Sequence, residues 1–243
     1  MRAAELAARY SRELRRQLGL WPAWLPDARL RVGDFGRVQG GVFVPEGRVG
    51  QLGVRVGKPA RHTVADQLFA SRGVRQAMLA GEAAEQQVGA RAGARIEFGR
   101  GFGVVVALRE CHEQRVADLV ALAAQLDRSR AAGAWSDDRC LVLGVVKARA
   151  ALIAVSADGG GALELAAGAP AGDLLGLLGT ELRVAREASV GYRCVLASGC
   201  TPLVRLFRLT RRGELTLRGP AAAPPTLVEV DARAGLDQAP SSS

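Results

Sequence analysis

Three short stretches carry the side chains best suited to chemistry. FGRGFGVV sets Gly99, Gly101 and Gly103 at the spacing of a phosphate-cradling loop. The third glycine comes one position early for G-x-G-x-x-G, and no helix is expected after it. They read as strand glycines that permit bending or close packing. Cys111 and His112 are neighbours of nucleophile and base type. Adjacent residues on a strand point to opposite faces, so this pair needs another partner to act as a thiolate–imidazole couple. Asp137 and Asp138 precede a strand and read as turn residues, and no carboxylate pair has a spacing that sets both on one face of a pocket. The chain has no P-loop, H-E-x-x-H or G-x-S-x-G. Cys111, Cys140, Cys194 and Cys200 show no C-x-x-C spacing, and His62 and His112 are the two histidines. Reduced, mostly buried thiols are expected rather than zinc ligands. The residues imply no catalytic site, no cofactor and no metal, hence no enzyme.

Charge points to a different class of partner. The 243 residues carry a formal +9, nearly all of it arginine, since Lys58 and Lys147 are the two lysines. Such a surface attracts nucleic acid or anionic lipid. The aromatic content of 5% leaves few stacking platforms, and no recognition-helix or RNP-like pattern appears. A basic nucleic-acid binder stays open as one form of a non-lytic α+β binding or scaffold module.

The elements that must position these charges follow from periodicity. Leu6, Tyr10, Leu14 and Leu18 share one helical face over residues 2–18, with Arg9, Arg12, Arg15 and Arg16 on the rest of the wheel. This basic amphipathic helix can lie on a membrane or pack on the domain with a wet arginine face. No apolar h-region opens the chain, and no run reaches the roughly 18 apolar residues of a spanning helix. Folding in the cytoplasm is expected. ARLRVGDFGRV, then Gly40-Gly41, then VFVPEGRVGQLGV read as a β-hairpin and a turn. Residues 63–88 read as weakly helical. ARIEFGRGFGVVVALREC reads as one long strand, and 115–131 as the best helix, with Val116, Leu119, Val120, Ala123 and Leu126 on one face and Trp135 closing it on the core. DRCLVLGVVKARAALIAVSAD is long for a single strand, and Gly159–Gly161 would turn it back into ALELAAG. Gly176 and Gly179 argue for a loop leading into a further strand. GCTPLVRLFRLTRRGELTLRG reads as a last, basic hairpin turning at Arg211-Arg212-Gly213. The expected class is α+β, a twisted, mostly antiparallel central sheet with flanking helices.

From residue 220 prolines break regular structure, and Glu229, Asp231 and Asp237 outweigh Arg233. Within this tail only LVEV, Leu227 to Val230, can add an edge strand or plug a groove. A frayed end is the other reading.

Taken in order, these segments resemble a bacterial gasdermin. The similar parts are the N-terminal helix, WPAWLPDARL before a small hairpin, VFVPEGRVGQLGV, ARIEFGRGFGVVVALREC before the 115–131 helix, DDRCLVLGVVKARAALIAVSADGGGALELAAG, and CTPLVRLFRLTRRGELTLRG. The match spans roughly residues 8–220. The resemblance implies a pore-forming domain, 1–219, held latent by an inhibitory tail, 220–243. A caspase-like or trypsin-like protease would remove the tail, with Arg218, Asp231 and Arg233 as candidate cut sites. Leu227, Val228 and Val230 would be the plug. Arg9, Arg12, Arg15 and Arg16 are candidate contacts for anionic lipid. The monomer would be cytoplasmic when latent. Once cut, it would form a homo-oligomeric transmembrane β-barrel in the inner membrane and cause lytic death in defence against phage. Residues 64–88 with 93–109, and 145–167 with 173–190, are the candidate spanning hairpins. The family's acylated cysteine near the start has no counterpart before Cys111.

Overall fold

The computed structural model describes residues 3–24, 29–196, 199–210 and 226–229. In chain order the elements are α1 (Ala3–Leu18), β1 (Trp21–Pro22), β2 (Asp34–Gln39), β3 (Val42–Arg48), β4 (Ala60–Thr63), β5 (Gln67–Ala70) and β6 (Val74–Ala80). Then come α2 (Glu82–Val88), β7 (Ala92–Phe98), β8 (Gly103–Arg109), β9 (His112–Arg115), α3 (Leu119–Ala131), β10 (Arg139–Ala148), β11 (Ala150–Ser156) and β12 (Ala162–Ala167). The last are α4 (Leu174–Leu177), β13 (Leu182–Ala188), β14 (Tyr192–Leu196), β15 (Cys200–Thr210) and β16 (Thr226–Glu229). Every strand pairing among the described residues is antiparallel. The fold is α+β, with a curled antiparallel sheet and few helices.

Three sheets share the strands. The central sheet runs β1-β15-β10-β2-β3, with β16 beside β15 and β9 beside both β10 and β4. An inner sheet runs β14-β11-β8-β5 and an outer sheet β13-β12-β7-β6. The central sheet packs on α3 through Leu122, Ala123 and Leu126, with Phe35, Trp135 and Leu141 in the same core. The inner sheet is buried on both faces. Val104, Val106, Ile153 and Val155 meet Leu6, Tyr10 and Leu14 of α1, while Val105, Ala107 and Leu152 meet Ile96, Leu163 and Leu165 of the outer sheet.

Several elements match the periodicity and several depart from it. The β2–β3 hairpin turns at Gly40 and Gly41, both with positive φ (+57° and +78°), the conformation a two-residue turn requires. Residues 63–88 are not helical throughout: β5 and β6 occupy 67–80, and only α2 is helix. Backbone pairing of β5 with β8 and of β6 with β7 outweighs a weak helical preference. ARIEFGRGFGVVVALREC is two strands, β7 and β8, in different sheets. Gly159–Gly161 does not turn the chain back, because β11 and β12 pair with β8 and β7 rather than with each other. A single helical turn, α4, stands where a loop was expected. α3 begins at Leu119, since the Asp118 side chain accepts from the Ala121 N–H at 3.0 Å and caps it. Val116 therefore lies ahead of the helix, and Val120 is 82% exposed instead of on the core face. Trp135 closes the core, 3% exposed. The expected turn at Arg211-Arg212-Gly213 lies outside the described residues.

Candidate functional site

Four segments of the chain build a sheet folded across itself. Segments 67–80, 92–109, 150–167 and 182–196 each contribute one strand to the inner sheet and one to the outer. The two sheets keep the same strand order. Between the middle two segments the pairing holds one register, from Ala92↔Ala167 through the bridge Arg100↔Gly159 to Arg109↔Ala150. These are two halves of one antiparallel ladder. The flanking segments cut the corner. Gln67↔Leu108 and Val74↔Phe98 lie on one side, and Ala151↔Leu196 and Ala162↔Ala188 on the other, so each edge segment is three residues shorter across the bend than its partner.

The fold hides apolar surface twice. One face of the outer sheet, with Ala94, Ile96, Phe98, Leu163 and Leu165, packs against the back of the inner sheet and against Leu174, Leu177 and Leu178 at α4. The opposite face of the outer sheet is ionic. Arg95 pairs with Glu97 at 2.8 Å and with Glu164 at 3.0 Å. Glu164 is 5% exposed, with Arg186 at 4.0 Å from its other oxygen. Arg109 reaches across to donate to the carbonyls of Leu175 (3.3 Å) and Gly176 (3.2 Å), which pins α4 to β8.

α1 braces the inner sheet at the bend. Leu6, Tyr10 and Leu14 are buried on it, Tyr10 and Tyr192 sandwich Trp24 at ring distances of 5.6 and 5.1 Å, and the Arg9 guanidinium lies 5.0 Å over Phe102. The four arginines proposed for lipid therefore part company. Arg9, Arg12 and Arg16 are exposed. Arg15 is 4% exposed and stacks 4.3 Å from the Trp21 ring, with its Nε donating to the Ser11 carbonyl at 3.3 Å. A 3.6-residue turn rotates position 15 beside Ser11, whose hydroxyl donates to Gly41 at 2.6 Å, and so into the groove between α1 and the β2–β3 hairpin.

Of the tail, Thr226–Glu229 forms β16, antiparallel to the end of β15 with Leu209↔Leu227 and Arg208↔Val228 in register, and its backbone passes beside α3. Val230, Arg218, Asp231 and Arg233 lie outside the described residues.

The groups with nucleophilic or acid–base character are arranged for packing. Cys111, Cys140, Cys194 and Cys200 are free and buried. Burial pushes the Cys111 thiol up to about 12, with Asp66 and Cys200 adding to it, and Cys200 up to about 11. Neither presents a thiolate at neutral pH. His112 is held below its usual range by burial and by Arg61 and Lys147, so it stays neutral. Asp137 pairs with Arg130 at 3.2 Å and Asp138 with Arg37 at 2.6 Å, which makes both loop anchors. No cluster of three metal-ligating side chains occurs among the described residues. None of their helices is long and apolar enough to cross a membrane.

No protein-family model matches the sequence, and no curated protein matches it. Among solved structures, the chain is similar to a cryo-EM structure of the gasdermin A3 membrane pore at 11% identity and a TM-score of 0.30, over 91% of this chain and 98% of that one. That likeness is loose.

Proposed function

We propose that this chain is a latent pore-former of gasdermin type, an effector rather than an enzyme. The observation that carries the reading is the unbroken register between 92–109 and 150–167. In uninterrupted strands, alternation puts Ala94, Ile96, Phe98, Phe102, Val104, Val106 and Leu108 on one face, with Arg100 as the charged exception. The partner strand matches it with Ala151, Ile153, Val155, Ala157, Leu163, Leu165 and Ala167. The opposite face is rich in small and charged residues, among them Arg95, Glu97, Asp158 and Glu164. An apolar face backed by a polar one is the pattern of a membrane-spanning β-strand. Each segment also exceeds the roughly 9–11 residues such a strand needs.

Four strands cannot close a barrel alone, and a bilayer excludes open edges, so the spanning form requires many copies side by side. The two edge segments, 67–80 and 182–196, run antiparallel to each other and leave an alternating sheet free to continue into the next copy. In this reading residues 220–243 hold the body latent. Leu227, Val228 and Val230 are the plug, a trypsin-like cut at Arg218 frees the body of it, a caspase-like cut at Asp231 or a trypsin-like cut at Arg233 removes only the end that follows it, and exposed Arg9, Arg12 and Arg16 contact anionic lipid. Each well-placed cation contributes about 1 kcal/mol of attraction. The cell's own inner membrane is the target, and lytic death that limits phage is the outcome.

Dye release from anionic vesicles tests this directly. The full chain should be inert, and the chain ending at Gly219 should empty the vesicles. Equal inertness of both would leave a non-lytic binding module as the better account.

A further inference from the structure

The four segments change sheets at four places lying side by side: 71–73, 99–102, 157–161 and 189–191. Each place contains a residue in the left-handed region: Gly73 at φ +83°, Gly101 at +91°, Gly159 and Gly160 at +79° and +70°, and Ser189 at +52°. Hydrogen bonds join them into one transverse line. Gly99 N–H donates to Gly73 at 3.0 Å, Gly160 N–H to Phe98 and Gly99 at 2.9 Å each, Phe98 N–H to Gly161 at 2.8 Å, and Gly191 N–H to Val155 at 2.9 Å. The line also reverses which face the side chains take. Phe98 and Leu163 share a core with Val105 and Leu152, although unbroken alternation would set them on opposite faces.

Resting on the pore-forming reading above, we propose that this line is the hinge of activation, a crease at which the folded sheet opens into full-length strands. The closed and open forms make opposite demands on the same backbone positions. The closed corner needs positive φ, which glycine alone adopts freely. A straight strand needs φ near −120° to −140°, where β-branched residues are most at home. Opening keeps the middle ladder in its present register, while the edge segments, three residues short across the bend, must slide.

A β-branched residue at the crease should therefore favour opening. At Gly101 and Gly160 a Cβ would meet nothing within 4 Å, so the penalty there is conformational alone. Gly133, in the turn after α3, offers a matched control with φ +73° and equal space. In the full chain, Gly101→Thr, Gly160→Thr and Gly133→Thr should each lower Tm by roughly 2–8 °C. Only the two crease variants should release dye from anionic vesicles with the tail in place, roughly 5–30-fold faster than the parent. Ser189→Gly relieves strain in the closed corner and should slow release by the chain ending at Gly219. Should the threonine variants fail to fold, Gly101→Ala and Ser189→Gly retain the comparison. Crease variants that leak no more than Gly133→Thr, while the chain ending at Gly219 leaks, would overturn the hinge and leave the pore standing. Inertness of the chain ending at Gly219 itself would remove the pore reading and the hinge together.

Discussion

Tyr10, Cys111 and Cys200 are ionisable groups placed where an anion finds no water. Burial raises all three, Cys111 to about 12 and Cys200 to about 11 from an ordinary 9.0. A group whose folded value lies above its unfolded one stabilises fully below the unfolded value, and that stability is lost as pH rises through the folded one. Tm should hold from neutral pH to about 9 and then fall steadily toward about 12. Cys111→Ala should flatten part of that fall in a thermal scan, and a Tm insensitive to alkali would show that these sites are wetter than their burial indicates. At the same scale, spacing along α1 identified a basic wheel but not the fate of each arginine. Arg15 differs from Arg12 and Arg16 because its turn of helix faces the β2–β3 hairpin and Trp21, neighbours that local periodicity does not contain.

Among elements, α1 packs on one face of the inner sheet and the outer sheet on the other. The middle ladder and the edge segments should behave differently when the folded sheet opens. Hydrogen exchange on the chain ending at Gly219, followed after vesicles are added, should keep amides of 92–109 and 150–167 protected. Gln67–Ala70 and Tyr192–Leu196 should exchange faster during insertion, because those pairings must slip to straighten. Uniform loss of protection across all four segments would mean wholesale unfolding instead. The β2–β3 hairpin was legible because Gly-Gly between alternating hydrophobics leaves few other turns. Residues 63–88 were not, since their short strands are specified by what pairs with them. The failures of the single long strand expected at 94–111 and of the turn expected at Gly159–Gly161 have a common cause. Glycine permits a left-handed corner without announcing whether the chain will continue or reverse there.

For the whole molecule, net charge and an unfolded inner face must cooperate. The full chain carries +9, and without the tail, where Glu229, Asp231 and Asp237 outweigh Arg233 by two charges, the body carries +11; it attracts anionic lipid at long range, whereas insertion itself depends on apolar area. Release by the chain ending at Gly219 should therefore fall steeply as salt rises from about 0.1 M to about 1 M, where the screening length drops from about 10 Å to about 3 Å. It should also be several-fold slower on neutral vesicles. Release indifferent to both would place the driving force in burial alone. The sequence by itself determined the α+β class, the basic helix, the first hairpin, the apolar faces of the long segments and the absence of a catalytic motif, because each is written in residues within a few positions of one another. Only the tertiary structure decided that β7 and β8 lie in different sheets, that their ladder runs in register through the bend, that Arg15 is buried, and that Thr226–Glu229 lies along β15. Those outcomes depend on pairing between residues far apart in the chain and on the sign of φ at a few glycines, which composition allows but does not choose.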